Sequence, residues 1–283
     1  MSEVRAATQI TTGAILNLSM EYKQEKIRRW LAPPDPSTNH RKALQQRHKD
    51  SGLWIIGLEE FCTWKTQPNS VLWLYGIPGC GKTILSSIII QHLDSTISPL
   101  STLYFYFDFN NINKQTLGSL VKSLIMQLYW KRPELWELLN TLFISCDEGH
   151  RQPTSESLYS LFFRMLELTE EVWIVLDALD ECRTRGARSS DRLNAWIRDL
   201  LNSKQGNVHL LVTSRPEQSI ESGLDELSCN KTIIPIQPEV IKGDIRSYVH
   251  ARVRYGQGLK RWKSHRDVQD EIERTITEKS NGM

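Results

Sequence analysis

The sequence predicts an α/β fold that is organised around a parallel β-sheet. Short apolar runs rich in β-branched and aromatic residues lie at residues 71–75, 102–109, 172–176, 208–213 and 231–236. Between these runs, apolar residues recur at the spacing of one helical face, as at residues 117–128 and 155–168. Strands that alternate with helices pair in parallel, and helices cover both faces of such a sheet. A glycine-rich loop follows the first run directly, which is where α/β sheets bind ligands.

Residues 1–35 are predicted to form an amphipathic helix and a stiff link. Apolar side chains from Ile15 to Leu31 recur close to helical spacing, and charged residues occupy most positions between them. Three prolines between residues 33 and 36 end this helix and extend the chain. We therefore expect an N-terminal helical segment ahead of the sheet.

Residues 36–64 are predicted to be a polar linker followed by a short helix. Basic residues cluster between residues 40 and 49, where they could form a nucleic-acid patch or a solvated helix face. The absence of interleaved aromatic residues and a formal net charge of only +2 favour the solvated face, so no nucleic-acid partner is expected. Trp54, Leu58, Phe61 and Cys62 then recur at helical spacing before the first strand.

The stretch after the first strand predicts a phosphate-binding loop. Four of its residues fit the spacing G-x-x-x-x-G-K-[ST], which chance would produce in a chain of this length roughly once in a hundred sequences. Its glycines allow successive N–H groups to point at phosphate oxygens, and the following helix would direct its positive end at the same anion. The predicted nucleotide-binding residues are Gly76, Ile77, Pro78, Gly79, Cys80, Gly81, Lys82, Thr83 and Ile84.

Two of these residues and one aspartate have specific predicted roles. The Lys82 ammonium would contact the β- and γ-phosphates, and the Thr83 hydroxyl would ligate Mg²⁺. The buried strand at residues 172–176 ends in Asp177, the position of a second Mg²⁺ ligand that usually acts through water. Because acidic residues often end strands, the Asp177 prediction depends on the loop upstream.

Asp180, Glu181 and Arg215 are the predicted catalytic residues. A carboxylate one turn after Asp177 could orient or deprotonate the water that attacks the γ-phosphate, and the sequence leaves open whether Asp180 or Glu181 does so. Arg215 follows the fourth strand, where it could sense the γ-phosphate or only pair with a carboxylate at the sheet edge. The arginines at residues 183, 185, 188 and 192 are expected in a solvated loop.

The cysteine content and the apolar runs indicate in which cellular compartment the protein is expected. The cysteines are odd in number, at five, and show no C-x-x-C pair, so neither a disulfide framework nor a zinc site is predicted. The N-terminus lacks the apolar core of a signal peptide, and no run of 18 apolar residues occurs. These features favour a reducing, cytoplasmic location without a membrane partner.

Three motifs together resemble a known family. The conjunction of GIPGCGKT, LDALDEC and LLVTSRP is similar to the NACHT group of signal-transduction NTPases, particularly fungal NOD-like proteins with a nephrocystin-3-like nucleotide domain. In that group the magnesium aspartate is followed by a small residue, an apolar residue and an acidic pair, which residues 177–181 match in order. Similar stretches extend the likeness over most of residues 24–283.

The resemblance implies an architecture and a set of ligands. It implies a three-layer P-loop domain at residues 65–238 with strand order 2-3-4-1-5, followed at residues 239–283 by the start of a helical domain. It also implies ATP, or in some members GTP, as the bound nucleotide. Mg²⁺ is expected with the nucleotide, and the chain could also bind to copies of itself. Relatives typically continue into ankyrin, WD or TPR repeats, which this sequence lacks, so a fragment or a truncated gene model is expected.

A nucleotide-operated signalling switch of the STAND type that hydrolyses ATP or GTP slowly is the leading functional hypothesis. A metabolic phosphotransferase or a transporter ATPase on the same core is the main alternative. The sequence contains no LSGGQ signature and no obvious arginine-rich lid, which weighs against both forms of that alternative. A scaffold that binds nucleotide without turnover is the third hypothesis.

Overall fold

The structure is a computed structural model that describes residues 18–183, 189–202, 208–226 and 230–280. The chain divides into two compact units. One comprises Met1–Asp35 with Gly118–Leu168, and the other comprises Pro36–Leu117 with Thr169–Met283. The second unit contains the whole sheet and every predicted site residue.

The sheet consists of five parallel strands in the order β2-β3-β4-β1-β5. The predicted α/β fold, its parallel sheet and its strand order are therefore confirmed. The first strand in sequence lies between the last two, so the loop that follows β1 leaves from the interior of the sheet. The strands are β1 (Ser70–Tyr75), β2 (Thr102–Tyr106), β3 (Val172–Asp177), β4 (Val208–Ser214) and β5 (Asn230–Pro235).

The α-helices mostly follow the predicted apolar stripes. Two short helices, α6 and α9, were not predicted, and both are ten residues or shorter. In chain order the helices are α1 (residues 18–31), α2 (Ser37–Gln46), α3 (Glu59–Thr66), α4 (Lys82–Thr96), α5 (Leu117–Lys131), α6 (Trp136–Ser145), α7 (Ser155–Glu167), α8 (Ser189–Leu201), α9 (Gln218–Asp225), α10 (Pro238–Tyr255) and α11 (Arg266–Lys279).

The second strand is shorter than its apolar run. The sequence predicts a strand over residues 102–109, but β2 ends at Tyr106. Asp108 diverts the chain into a turn, because its side chain accepts a hydrogen bond from Asn110 N at 2.9 Å and its carbonyl accepts one from Asn111 N at 3.0 Å. The apolar Phe107 remains buried beyond the strand end.

One face of the sheet packs against α3, α4 and the start of α10. Alternate strand residues such as Leu72, Trp173 and Leu211 share this face with Ile89 of α4 and Ile241 of α10. Burial of each large apolar side chain stabilises the fold by about 1.5–3 kcal/mol. Every residue of β3 and β4 is buried, so the opposite face is covered as well, as a sheet between two helical layers requires.

A closed polar network lies at the amino ends of the strands. His209 of β4 shares a hydrogen bond with the Ser70 hydroxyl at 3.0 Å and another with a Glu171 carboxylate oxygen at 3.1 Å. Ser70 Oγ donates to the carbonyl of Trp64 at 2.6 Å. The His209 ring also stacks on Trp173, with centroids 4.6 Å apart. This network joins α3, β1, β3 and β4 at one edge of the sheet.

The first unit is held by contacts around Trp30 of α1. Its indole N–H donates to the carbonyl of Arg151 at 2.7 Å, and its own carbonyl accepts from Gln152 Nε2 at 3.1 Å. The Trp30 ring meets Phe143 of α6 edge to face, with centroids 5.2 Å apart. The predicted N-terminal helix is thus present from residue 18, whereas its Ile15 and Leu16 lie outside the described residues.

Several smaller predictions can be placed as well. Within the basic cluster at residues 40–49, Arg41, Lys42 and Lys49 are exposed, as predicted for a solvated face. The prediction is wrong for His40, because its ring is half-buried and shares a hydrogen bond with the Tyr106 hydroxyl at 3.0 Å. Of the four arginines that were predicted in a solvated loop, those at residues 185 and 188 lie outside the described residues. Arg183 is exposed outside helices and strands, as predicted, whereas Arg192 is exposed on helix α8, so the loop prediction is wrong there. Within the described ranges, no helix combines the length and the apolar character needed to cross a bilayer.

Candidate functional site

The glycine-rich loop connects β1 to α4. Gly79 and Gly81 have φ angles of +82° and +93°, in the left-handed region that favours glycine. Gly76 is required for space, because a Cβ atom there would lie 2.7 Å from Cys80 Sγ and 3.2 Å from Ile236 Cβ. The loop therefore depends on its glycines for two separate reasons, conformation and close packing.

Helix α4 begins directly at the end of the loop. Leu85 N donates to Gly81 O at 2.9 Å, which closes the first helical turn. The first N–H groups of a helix have no acceptor within it, so those at the start of α4 can bind an anion, favoured by the helix dipole. A Cβ added at Gly79 or Gly81 would meet no atom within 4 Å, so the space beside the loop is open.

The Lys82 ammonium lies against the start of the loop. Its Nζ donates to the carbonyl of Gly76 at 2.6 Å and to the carbonyl of Ile77 at 3.0 Å. The side chain thus folds back over the peptide groups that precede it. This position places a positive charge beside the N–H groups of the loop.

Asp177 is the centre of a hydroxyl network at the carboxyl end of β3. Its side chain is buried, and the residue is only 2% exposed. Thr83 Oγ1 donates to Oδ2 at 2.7 Å, while Ser86 and Thr213 donate to Oδ1 at 2.7 and 2.8 Å. Burial raises the pKa of the Asp177 carboxyl, whereas these hydrogen bonds and the positive charge of Lys82 act in the opposite direction.

Ser86 and Thr213 are site residues that the sequence analysis missed. Ser86 lies three residues after Thr83 on α4, so helical spacing alone could have placed both hydroxyls on one face. Thr213 is level with Asp177, because the β3–β4 register pairs Leu176 with Val212. Thr213 can therefore be placed beside Asp177 only once the strand order is known.

A strained turn follows Asp177. Ala178 has φ 57° and ψ 52°, a left-handed conformation that costs a non-glycine residue about 1–2 kcal/mol. Its N–H donates to Thr213 Oγ1 at 3.0 Å, which holds the turn in place. The turn leads into a short 3-10 helix, Leu179–Glu181, that contains both candidate catalytic carboxylates.

Asp180 and Glu181 have different surroundings. Asp180 pairs with Arg215 twice: Oδ2 lies 3.1 Å from the guanidinium Nε, and Oδ1 accepts the Arg215 backbone N–H at 3.1 Å. Glu181 Oε2 accepts the N–H of Phe109 at 2.8 Å, and Oε1 has no hydrogen-bond partner among the described residues. Burial raises the pKa of the Glu181 carboxyl, and neighbouring carboxylates add to this rise.

The residues present fit a magnesium ion. Mg²⁺ prefers oxygen ligands and commonly takes one or two from the protein and the rest from phosphates and water. Thr83 is exposed, and its hydroxyl adjoins an Asp177 carboxylate oxygen. Within the described ranges, no group of three His, Cys, Asp or Glu residues could hold a metal ion by itself. A site shared between Thr83, Asp177 and phosphate oxygens is therefore the arrangement these residues suit.

The sheet order, the glycine loop and the placement of Asp177 define the class as a P-loop NTPase fold. The sequence model of the family described as Nephrocystin 3, N-terminal matches residues 50–215, which is more than half of the chain. The chain belongs to this family and is a NACHT-type P-loop protein with a nephrocystin-3-like region, as the sequence motifs predicted.

A curated relative and two solved structures show further similarities. The vegetative incompatibility protein HET-E-1 of Podospora anserina is 25% identical over 141 residues, which are 48% of this chain and 10% of that protein. The chain thus spans about a tenth of the length of this relative.

A Walker-type ATPase of Pyrococcus abyssi is 12% identical, with a TM-score of 0.45, over 77% of this chain and 60% of that one. A chain in the structure of Drosophila ORC bound to AT-rich DNA and Cdc6 is 10% identical, with a TM-score of 0.32, over 85% of this chain and 77% of that one. Both scores are low, and the fold assignment depends on the strand order and the loop.

Proposed function

We propose that this protein is a signalling switch that binds ATP, or GTP, with Mg²⁺ and hydrolyses the nucleotide slowly. The observation that carries this proposal is the 2.7 Å hydrogen bond between Thr83 Oγ1 and Asp177 Oδ2, at the start of a helix that follows a glycine-rich loop. A triphosphate and its metal would bind at the start of this helix. The oxygens of Thr83 and Asp177, the Lys82 ammonium and the first N–H groups of α4 would all contact them there.

The loop residues, from Gly76 to Ile84, would surround the phosphates and bind them mainly through the N–H groups of Gly79 and of residues 81–84. Pro78 has no N–H, and Gly76 N already donates to the carbonyl of Ser214 at 3.2 Å. Lys82 would exchange its two carbonyl partners for phosphate oxygens, a charge-assisted contact of the stronger kind. Thr83 and Asp177 would hold Mg²⁺, which supplies neutralisation of the phosphate charge when it is bound. The three hydroxyls around Asp177 keep its carboxylate oriented toward that position.

Glu181 is our preferred candidate for orienting or deprotonating the attacking water. Both oxygens of Asp180 are engaged by Arg215, whereas Glu181 retains one oxygen without a partner among the described residues. The raised pKa of Glu181 also suits a general base, which works best when its pKa approaches the operating pH. Asp180 would then act indirectly, by holding Arg215.

Arg215 is proposed to respond to the γ-phosphate. Its side chain is about half exposed, and Nε is the guanidinium nitrogen that pairs with Asp180. The terminal nitrogens remain available to a phosphate oxygen, since a guanidinium has five N–H donors. A change of partner at Arg215 would report the nucleotide state to the chain that follows β4.

The wider setting is inferred from the family. The similarity to a vegetative incompatibility protein supports a role in signal transduction. We infer a cytoplasmic location, self-oligomerisation, and coupling to a repeat domain of the kind that relatives possess. The boundaries at residues 65–238 and 239–283 remain predictions for the NTPase domain and the helical domain.

Equilibrium binding of a fluorescent ATP analogue to the wild type and to Lys82→Ala tests the proposal. We expect the affinity to fall between about tenfold and a hundredfold, because a charge-assisted contact to phosphate is lost. Lys42→Ala is the matched control, since Lys42 is exposed on α2 of the same unit. The circular dichroism spectrum and melting temperature should stay unchanged in both variants.

Equal affinity in Lys82→Ala and the wild type would remove the central claim. Steady-state turnover measured on the same samples separates the functional hypotheses. Slow hydrolysis with tight binding fits a switch, and binding without hydrolysis fits a scaffold. Rapid turnover that depends on an added acceptor would indicate a metabolic phosphotransferase.

A further inference from the structure

The loop that follows β2 lies beside Glu181 and supplies one of its partners. The loop begins at Phe107, whose N–H donates to the carbonyl of Asp177 at 3.0 Å and so ties the loop to the end of β3. Two residues further on, the N–H of Phe109 donates to Glu181 Oε2 at 2.8 Å. All of these residues belong to the second unit. The direction of the Phe109 N–H therefore helps to decide where the Glu181 carboxylate points.

Neither packing nor the turn itself holds Phe109 on both sides. Phe109 is 58% exposed, so its ring is not fixed inside a core. Within the turn, the carbonyl of Asp108 accepts the N–H of Asn111 at 3.0 Å, which holds the peptide group ahead of Phe109. The carbonyl of Phe109 receives no such hydrogen bond from the turn. Its partner comes from a residue further along the chain.

That residue is Gln115, which contacts the peptide groups before and after Phe109. Its Nε2 donates to the carbonyl of Phe109 at 2.6 Å and to the carbonyl of Asp108 at 3.1 Å. Because both acceptors are carbonyl oxygens, the amide nitrogen has to face the loop. The Asp108 carbonyl and the Phe109 N–H belong to one planar peptide group. Gln115 thus bonds one end of the peptide group whose other end donates to Glu181.

Gln115 also holds the chain just after Glu181. Its main-chain carbonyl accepts the N–H of Arg183 at 2.7 Å, two residues beyond Glu181. Gln115 therefore joins the segment that contains Glu181 to the loop that orients the Glu181 carboxylate. A change in its side chain should disturb the loop contact and leave this main-chain contact in place.

Packing alone does not account for an amide at this position. Gln115 is only 2% exposed, and its Oε1 is buried without a hydrogen bond within the part of the chain that the structure describes. A buried polar atom without a partner lowers stability, and an apolar side chain of the same length would avoid that loss. What the amide contributes is its pair of N–H donors, and both donate to the loop that holds Glu181.

We propose that Gln115 is a positioning residue for hydrolysis, which acts through the peptide groups around Phe109 to hold Glu181 Oε2 and leave Oε1 for the attacking water. This inference rests on the proposed function, because it takes Glu181 as the residue that acts on water. Catalysis is sensitive to such support, since a displacement of about 1 Å can lower a rate about a hundredfold. Gln115 is assigned no contact with the nucleotide, so its loss should lower the rate and not the affinity.

Two substitutions separate the donors of Gln115 from its size. Gln115→Met keeps the length of the side chain and removes both N–H groups. Gln115→Asn keeps the amide but is shorter by about 1.5 Å, so its nitrogen no longer reaches the carbonyl of Phe109. We expect each variant to lower the single-turnover rate of ATP hydrolysis about tenfold and to change ATP affinity less than about twofold. Gln91→Met, at an exposed position of α4, is the matched control.

A double-mutant cycle with Glu181→Ala tests whether Gln115 acts through Glu181. In the Glu181→Ala background no carboxylate remains to be positioned, so adding Gln115→Met should lower the residual rate less than about twofold. A residue that only supports the fold would lower the rate by the same factor in both backgrounds. Single-turnover release of labelled phosphate, followed for hours where the rate is low, measures all four rates.

The outcomes separate this inference from the proposed function. The inference is wrong if both Gln115 variants hydrolyse ATP at the wild-type rate, or if the loss is equal in the two backgrounds. It is also wrong if neither variant folds, or if ATP affinity falls more than the rate, since Gln115 would then serve the fold or the binding of nucleotide. In each of these cases the proposed function stands as long as the wild type binds and hydrolyses ATP. A wild type that does neither would remove the proposed function and this inference together.

Discussion

The two edges of the sheet contain similar residue types and differ in how completely those residues are paired. At the amino edge, Ser70, His209 and Glu171 form a chain of hydrogen bonds, with Ser70 1% and His209 0% exposed. At the carboxyl edge, Asp177 is equally buried, but its partner Thr83 is exposed and adjoins an open loop. Hydroxyl and carboxylate groups are thus fully enclosed at one edge and adjoin solvent at the other.

The amino edge shows why residue types alone do not define a catalytic site. Serine, histidine and an acid are the components of a nucleophilic triad. Here the Ser70 hydroxyl donates to the carbonyl of Trp64 at 2.6 Å, and the histidine ring is covered by Trp173. No substrate atom can reach the hydroxyl, and the network instead joins the first strand to its neighbours.

The carboxyl edge contains two features that are costly for stability. Asp177 is a buried acid whose pKa is raised by burial, and Ala178 beside it has a left-handed backbone. Both features are costly in a structural role and are common at functional sites. Substitutions at this edge should change ligand binding, whereas those at the amino edge should change folding stability.

The largest expected effect is on hydrolysis. Glu181→Gln should lower the rate of nucleotide hydrolysis about a hundredfold or more, because the carboxylate that would act on water is replaced by an amide. ATP affinity should change little, so the variant should accumulate bound ATP. The measurement is single-turnover phosphate release with Asp180→Asn alongside. A greater loss in Asp180→Asn would reverse our assignment, and an unchanged rate in both would make the acidic pair structural.

The second-largest expected effect is a lower free energy of unfolding when the network at the amino edge is broken. His209→Ala should lower the free energy of unfolding by about 3 kcal/mol, because it leaves a cavity against Trp173 and removes the partners of Ser70 and Glu171. Urea denaturation measures this change, and nucleotide affinity below the transition should equal that of the wild type. His250→Ala, at an exposed position of α10, should have no comparable effect. A loss of affinity without a loss of stability would contradict the separation of the two edges.

The smallest expected effect is a loss of nucleotide affinity that depends on Mg²⁺. Asp177→Asn should weaken nucleotide binding about tenfold in Mg²⁺ and little in EDTA, because a neutral amide is a poorer ligand than a carboxylate. The melting temperature should not fall, since a buried ionisable group is replaced by a neutral one of the same shape. Nucleotide titrations of the variant and the wild type, with and without Mg²⁺, measure this difference. An equal loss of affinity in both conditions would show that Asp177 acts only on the fold.

The sequence was informative where function depends on local spacing. The loop could be predicted because Gly76, Gly81, Lys82 and Thr83 are close in sequence, and Asp177 because it ends an apolar run. The resemblance then supplied the strand order, which apolar runs do not encode. Helices α6 and α9 were missed because short helices offer too few turns to show a period.

The partners of the site residues could not be predicted in the same way. Thr213 adjoins Asp177 only through the β3–β4 register. Gly52 and Asp244 are 192 residues apart, and no pattern in either segment indicates that they meet. This contact is therefore a tertiary feature, formed between positions that resemble an ordinary turn and an ordinary helix surface.

The strand order also has a consequence for how the chain is made. Strand β1 lies between β4 and β5, yet Ser70 leaves the ribosome 139 residues ahead of its partner His209. At synthesis rates of about 5–20 residues per second, the apolar β1 segment waits roughly 7–28 s for its first neighbour. During that interval an unpaired hydrophobic strand and its loop are exposed, which is the situation in which nascent chains rely on chaperones.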